Sequence, residues 1–371
     1  MVTPTAVKNQ HVLRFQELGK GDVLVAGGKG ASLGELTRAG IRVPNGFVVT
    51  THAFQWAVTT IDANGEIVSA VSSLDGRDLR ASTKVGAWAR ARVEAAPLPE
   101  ELVSQVAQRY RELCVGAGQD DPPVAVRSSA TAEDSAEDSF AGLQDTYLWV
   151  RGAEEVNQAV RRCWASLYSV DSITYRRRRG LPEDGLAMAV VVQRMVDARS
   201  SGVMFTQSPV NGDRSVVALD ASWGLGSAVV GGEVTPDSYV INKITGDVVR
   251  KTIADKAVRD VPVPGGQGVR AEAVPEEMRT APAVDDDEIR TLVEIGRRVE
   301  QHYGCPQDIE WAISASAPPG ENIFLLQSRP VTVGQDRDRV SLAAPKAKAF
   351  HHVLSALGVG IPTPGRGNGS C

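Results

Sequence analysis

Lys29 stands inside the run Gly27-Gly28-Lys29-Gly30. Glycines let backbone N–H groups approach an anion closely, a helix N-terminus adds partial positive charge, and the lysine adds a full one. Three readings are open on these residues alone. A Walker-type phosphate loop needs Ser or Thr after the lysine and a wider glycine spacing, whereas Gly30 follows here. A dinucleotide fingerprint needs G-x-G-x-x-G, and Gly28, Gly30 and Gly34 are spaced one residue too far. A plain tight turn is the third.

Arg127 follows the apolar triplet Val124-Ala125-Val126 and precedes Ser128, Ser129 and Thr131. An arginine with small hydroxyl neighbours suits multidentate phosphate binding; the bland alternative is a surface strand end. Glu133, Asp134, Glu137 and Asp138 make the next stretch polar, and Ala141-Gly142 would suit a flap closing on a ligand. Simple solvation explains the acidic run equally well.

The pattern DIEWAI is sharper. Asp308 and Glu310 are two apart, so a strand puts them on one face and Ile309, Trp311 and Ile313 on the other. In IFLLQSRP, Gln327 and Arg329 share a face by the same rule. Two such strands, paired, would turn all four polar groups toward one cleft. Carboxylate and amide oxygens suit Mg²⁺, which takes few protein ligands and completes its shell with water and nucleotide phosphate. Arg329 would then clamp a transferring phosphate. Gln193, at the end of AVVVQRMV, offers an amide to an adenine edge, or simply caps a core strand.

These residues need elements to hold them. Val23 to Val25 reads as a short strand leading into the glycines, and Ala31 to Arg38 as a helix. GFVVTTHAFQWAV reads as a strand and then a helix capped by Thr50 or Thr51. Leu102, Val106, Tyr110 and Leu113 mark one amphipathic helix, and Val156, Val160, Cys163 and Leu167 another. VAVRSSATAEDSAEDSFAGLQDTYLWV is strand, polar loop, strand. LAMAVVVQRMV, GVMFTQSP, SVVALDAS and DSYVINKITGDVVRK are further strands, the last with a hairpin signal at Thr245-Gly246. Residues 253 to 287 look mostly like loop. Residues 288 to 303 make a helix, with acidic residues at its start and Gly304 past its end.

The bulk numbers bound the class. A chain of 371 residues, 42% hydrophobic and 23% charged, is a globular protein of two or three domains. A net charge of −5 leaves no general nucleic-acid footprint, and Arg176 to Arg179 read as the solvated end of a helix. Cys114, Cys163, Cys305 and Cys371 lie far apart without a CxxC pair, so neither a zinc site nor a disulfide framework is expected. With no apolar signal core and no run near ~18 apolar residues, a cytoplasmic protein without membrane contact is expected.

The order of these motifs is more telling than any one of them. GGKGASLGEL, VPNGFVVTTHAF, VAVRSSATAED with SFAGLQDTYL, RRCWASLYS, VVVQRMV with SSGVMFTQSP, DASWGLGSAVVGGEVTPDSYV, and DIEWAI with LLQSRPVT follow one another between residues 12 and 333. This series strongly resembles the ATP-binding domain of the phosphoenolpyruvate synthase, pyruvate phosphate dikinase and rifampicin phosphotransferase superfamily. RSSATAED with SFAGLQDT resembles the synthase and rifampicin-enzyme branch.

The resemblance implies an α+β, two-lobed ATP-grasp fold with nucleotide between the lobes. It implies a lobe over 1–185, a second over 186–334, and a linker with the truncated start of a phosphohistidine-like domain over 335–371. By that likeness Lys29 and Arg127 hold phosphate, Thr146 contacts it, and Gln193, Arg194, Met195 and Val196 form the adenine hinge. Asp308 joins the ATP site, Glu310 and Gln327 ligate Mg²⁺, and Arg329 completes the catalytic set with Lys29 and Arg127. Enzymes of this kind split ATP to AMP and phosphate and pass a phosphoryl group through a histidine to pyruvate or a drug hydroxyl.

Two departures matter. Ser227 stands where the family usually has a glutamate near the nucleotide sugar. None of His11, His52, His302, His351 and His352 lies in the family's T-S-H-A relay motif, and His351-His352 sits in a linker-like tail. The relay histidine is therefore expected on a partner or on a longer chain. A stand-alone kinase acting directly on a small molecule, and a nucleotide-binding module without turnover, are the alternatives.

Overall fold

The computed structural model describes residues 10–131 and 145–331. The acidic run Glu133 to Asp138, the Ala141-Gly142 pair, and the 335–371 tail with His351-His352 lie outside the described residues. The chain forms two compact units interleaved in sequence. The first holds Met1–Asp197, Pro262–Arg270 and Phe324–Arg329; the second holds Ala198–Val261, Ala271–Ile323 and Pro330–Cys371.

The first unit is built on strands β1 (Val12–Arg14), β2 (Gly46–Val49), β3 (Val124–Ala130), β4 (Thr146–Val150) and β5 (Met188–Arg194), in the sheet order β1-β2-β5-β3-β4. Its helices are α1 (Val23–Arg38), α2 (Thr51–Ile61), α3 (Glu66–Ser72), α4 (Leu79–Ala95), α5 (Glu100–Ala117), α6 (Ala153–Ala165) and α7 (Val170–Arg179). Strand alternation divides the sheet's apolar residues between two cores. Phe47, Val49, Val124, Val126, Val190 and Val192 pack with the buried residues of α2 to α7, while Val48, Ala189 and Val191 pack with Ala26 and Leu33 of α1.

Several local expectations hold. Thr50 caps α2 by accepting from the Ala53 N–H. Leu102, Val106 and Tyr110 form the buried stripe of α5, which stops at left-handed Gly118.

Two expectations fail. Val23 to Val25 is helical, not a strand: α1 already runs from Val23 and is broken at Gly27, which sits at φ 67 and ψ 173. The local apolar run does not decide this; the approach of β3 does. A Cβ on Gly27 would lie 2.1 Å from the Ser129 carbonyl oxygen. The basic run is not simply solvated either. Arg176 is buried against Glu183, with Nη2 to Oε2 at 3.0 Å and Nη1 to the Leu167 carbonyl at 2.7 Å. Arg177 and Arg178 donate through Nε to the carbonyls of Leu74 and Gly76. Leu74 and Gly76 offer carbonyl acceptors to the two side chains, and Glu183 offers a carboxylate to Arg176 once the chain turns at left-handed Gly180.

The second unit is built on β6 (Ala198–Phe205), β7 (Val216–Trp223), β8 (Asp237–Asn242) and β9 (Val248–Thr252), the pair β10 (Val258–Pro262) and β11 (Val269–Ala273), of which Pro262–Arg270 falls in the first unit, then β12 (Gln307–Ser314) and β13 (Ile323–Pro330). Its sheet order is β13-β12-β6-β7-β8-β9; β13 has its ends in this unit and Phe324–Arg329 in the first. Helices α8 (Ser227–Val230), α9 (Glu276–Arg279) and α10 (Asp286–Tyr303) complete it. The stretch expected to be mostly loop thus carries β10, β11 and α9. Lys256 within it is wholly buried and donates to Asp237 Oδ1 at 2.6 Å, while Asp237 also accepts from the Ala254 and Ala283 N–H groups.

α10 starts as expected, with a reciprocal Asp285/Glu288 capping box, and ends at left-handed Gly304. Among the described residues no helix is long and apolar enough to cross a membrane, and Cys114, Cys163 and Cys305 are free thiols.

Gly27→Ala should destabilise the chain by at least about 3 kcal/mol, because strained φ and backbone overlap act together. Gly40 has nearly the same φ, 68, with nothing within 4 Å of a Cβ, so Gly40→Ala should cost only about 1 kcal/mol. Urea unfolding of the two variants checks the contrast.

Candidate functional site

The break at Gly27 turns α1 so that its second part begins at Gly28, with Lys29 in the first turn. Ser129 holds that break: its Oγ donates to the Ala26 carbonyl at 2.9 Å and accepts from the Gly30 N–H at 3.2 Å. Lys29 Nζ donates to the Ser128 carbonyl at 3.1 Å and remains half-buried. Ser128 and Ser129, the small hydroxyl neighbours of Arg127, are buried; Ser128 Oγ donates to the Asp145 carbonyl. They build the frame of the site, since buried hydroxyls must find partners inside the protein.

Arg127 faces the same side of the sheet as Ser129, two residues on. Its cross-strand partners are Thr146 on β4 and Val191 on β5, and antiparallel partners share a face. Thr146 is exposed and lies directly opposite Arg127. Gln193, two residues after Val191, belongs to that face too. The first unit therefore brings Lys29, Arg127, Thr146 and Gln193 to the α1 side of one sheet.

Gln193 is 2% exposed, and its Nε2 has no partner among the described residues. An orphaned buried amide is costly and points to a missing acceptor. The Arg194 N–H donates to Asn45 and the Met195 N–H to Pro123, so Met195, Val196 and Asp197 form an anchored irregular link after β5.

Gln327 belongs to this unit as well. Its Oε1 accepts from Arg127 Nη2 at 2.9 Å, and the strand is tied down by Ser32 Oγ donating to the Ser328 carbonyl at 2.6 Å. Gln327 is buried, while Arg329 is half-buried.

The second unit carries the acidic pair. Along β12 Asp308 and Glu310 are half-buried, whereas Ile309 and Trp311 are fully buried, so the expected alternation is present. Among the described residues no group of three or more His, Cys, Asp and Glu side chains comes together. Mg²⁺, which draws most of its shell from water and phosphate, is the ion whose modest demand a carboxylate and an amide meet.

Two features of this unit escaped the sequence reading. Ser227 Oγ makes a very short hydrogen bond to Asp260 Oδ2, so a buried carboxylate sits beside the serine that replaces the usual glutamate. Asp220 on β7 is the other. It is buried, accepts from Ser238 Oγ at 2.5 Å, and burial pushes its carboxyl from 3.8 to about 6. Only the sheet register could reveal it, because it lies inside the apolar run VVALDAS.

The first unit thus brings two cations and a hydroxyl to one sheet face with an orphaned amide at a strand end, and the second carries an acidic strand. Residues 23–349 match the family described as the pyruvate phosphate dikinase AMP/ATP-binding domain, and this chain belongs to that family. It is 45% identical over 323 residues to a probable phosphoenolpyruvate synthase of Methanothermobacter thermautotrophicus, covering 87% of this chain and 46% of that one. It is 43% identical to a rifampicin phosphotransferase of a Streptomyces species, covering 94% and 40%, and 36% identical to the phosphoenolpyruvate synthase of Pyrococcus furiosus, covering 96% and 47%. The chain thus spans less than half the length of these relatives.

The Asp220 carboxyl gives a pH test. Its folded form holds the proton more tightly than the unfolded chain, so this group's effect is absent well below pH 3.8. Stability is lost as the unfolded state ionises first, between about pH 4 and 6, by on the order of 3 kcal/mol, and is level above. Asp220→Asn should remove that loss. Its unfolding free energy relative to wild type should rise from pH 4 to pH 6; a constant difference would contradict the assignment.

Proposed function

We propose that this chain binds Mg-ATP and passes its β phosphoryl group to a histidine on a partner protein or elsewhere on a longer chain while water takes the γ phosphoryl group, so that AMP and phosphate are released. The observation that carries this reading is the gathering of Lys29, Arg127 and Thr146 on one sheet face, at the helix that restarts after Gly27.

In this reading Lys29 and Arg127 hold the phosphate tail, Thr146 donates its hydroxyl to it, and Arg329 adds a further positive charge. Phosphoryl transfer is catalysed mostly by positioning and charge neutralisation, which cations on a rigid frame supply. Gln193 gives its orphaned Nε2 to an acceptor on the adenine ring, and Arg194, Met195 and Val196 line the base. Glu310 and Gln327 are the protein ligands for Mg²⁺, with Asp308 beside Glu310 on β12. An amide oxygen has two lone pairs, so Gln327 Oε1 can accept from Arg127 and still face a cation. Bound Mg²⁺ would neutralise phosphate charge.

The fold reading that goes with this is the two-lobed ATP-grasp arrangement, with lobes near 1–185 and 186–334 and the start of a phosphohistidine-like domain after 335, in a cytoplasmic enzyme. The names of the relatives suggest pyruvate or an antibiotic hydroxyl as the final acceptor. The test is AMP formation from Mg-ATP with a separately supplied histidine-domain protein. Lys29→Ala and Glu310→Ala should each lower that rate by 100-fold or more while the fold persists by circular dichroism. Full activity in both variants would refute the site. Turnover with a small molecule alone would favour a self-contained kinase, and ATP binding without turnover a regulatory module.

A further inference from the structure

The register of the second sheet sets four side chains in one row. Glu310 on β12 pairs with Val203 on β6, Val203 with Asp220 on β7, and Asp220 with Ser238 on β8. Antiparallel partners share a face, so all four point to the same side. On the opposite side Trp311, Met204, Leu219 and Tyr239 are buried, and α10 packs there, with Gly296 close against Met204. On the Glu310 side Glu310, Val203 and Ser238 are each only half-buried. This side is open at Glu310, Val203 and Ser238, and closed over Asp220, Ser222 and Ser201.

Asp220 is the unexplained member. It is 6% exposed, and among the described residues Ser238 is the one side chain that donates to it. A carboxylate has room for about four donors, and a buried one with so few is expensive. Ser222, two residues along on the same face, is 1% exposed, and its Oγ has no partner among the described residues. An acceptor short of donors thus lies beside a hydroxyl short of a partner.

We propose that Asp220, with Ser222 beside it, receives the sugar hydroxyls of the bound nucleotide. This rests on the Mg-ATP reading above. An ionised carboxylate only accepts hydrogen bonds and repels phosphate. A nucleotide offers donors at two places, the base amino group and the sugar hydroxyls. Asp220 and Ser222 are neighbours on one face, which matches the adjacent hydroxyl pair of the sugar better than a single amino group. Spacing agrees: Asp220 stands two strands from Glu310, roughly 10 Å, the separation of a metal on the phosphate tail from the sugar. Val203, apolar and half-buried between them, gives the nucleotide a surface to lie on. The raised carboxyl fits, since a bound hydroxyl returns the donor that burial withholds.

The experiment is calorimetric titration of the full chain with Mg²⁺ and ATP, 2′-deoxy-ATP or 3′-deoxy-ATP at pH 7.5, for wild type and Asp220→Asn. Wild type should bind ATP about 10-fold or more tightly than at least one deoxy analogue, because a hydrogen bond to a charged acceptor is lost. Asp220→Asn should weaken ATP by about 10-fold and bring the ATP-to-deoxy ratio close to one, while melting no lower than wild type. A merely structural role would weaken all three ligands alike. A ratio unchanged by the substitution would overturn this inference and leave the ATP reading standing; wild type binding none of the three would overturn both. If Asp220→Asn does not fold, Ser222→Ala takes its place, with a several-fold loss of the same ratio expected and an unchanged ratio again contradicting the proposal.

Discussion

The contact of Gly27 with Ser129 is the constraint on which the placement of Lys29 and Arg127 depends. Helix and strand approach so closely that a side chain at residue 27 would overlap the Ser129 backbone. Only glycine tolerates both the space and the φ of 67. The Ser129 hydroxyl then bonds both sides of the break, to the Ala26 carbonyl and the Gly30 N–H. Two groups left unpaired by the broken helix are satisfied by one buried side chain. The result places Lys29 in a fresh helical turn against the strand that carries Arg127.

The second unit follows a different economy. Its sheet keeps one face apolar under α10 and leaves the other polar and partly open, so β12 can carry Asp308 and Glu310 over a fully buried Ile309 and Trp311. Two polar pairs of the unit are closed on themselves: Lys256 with Asp237, and Ser227 with Asp260. Asp220 is held less fully, and its carboxyl bears the cost of burial. In the proposed reading that local expense is offset when the nucleotide binds.

Much of this was legible in the sequence, and the reasons for the gaps are physical. The period-two pattern of DIEWAI, the heptad-like stripe of α5 and the capping box of α10 are local signals, and each element formed as they indicate. The short apolar run Val23 to Val25 carries no such information; a residue about a hundred positions away decides its conformation. Arg176 looked like one of four solvated arginines because its partner Glu183 lies beyond a turn at Gly180. The hairpin of β10 and β11 was hidden by prolines and glycines. Among the candidate site residues, Lys29, Arg127, Glu310 and Gln327 were visible as types at suggestive spacings. Asp220 was not, because its relation to Glu310 exists only through two strand pairings.

The account turns on where the phosphates of ATP go. A crystal structure of the chain with Mg²⁺ and a non-hydrolysable ATP analogue tests this most directly. The account predicts the β and γ phosphates within hydrogen-bonding distance of Lys29 Nζ and the Arg127 guanidinium. Phosphates bound elsewhere, with Lys29 still on the Ser128 carbonyl and Arg127 still on Gln327, would contradict it.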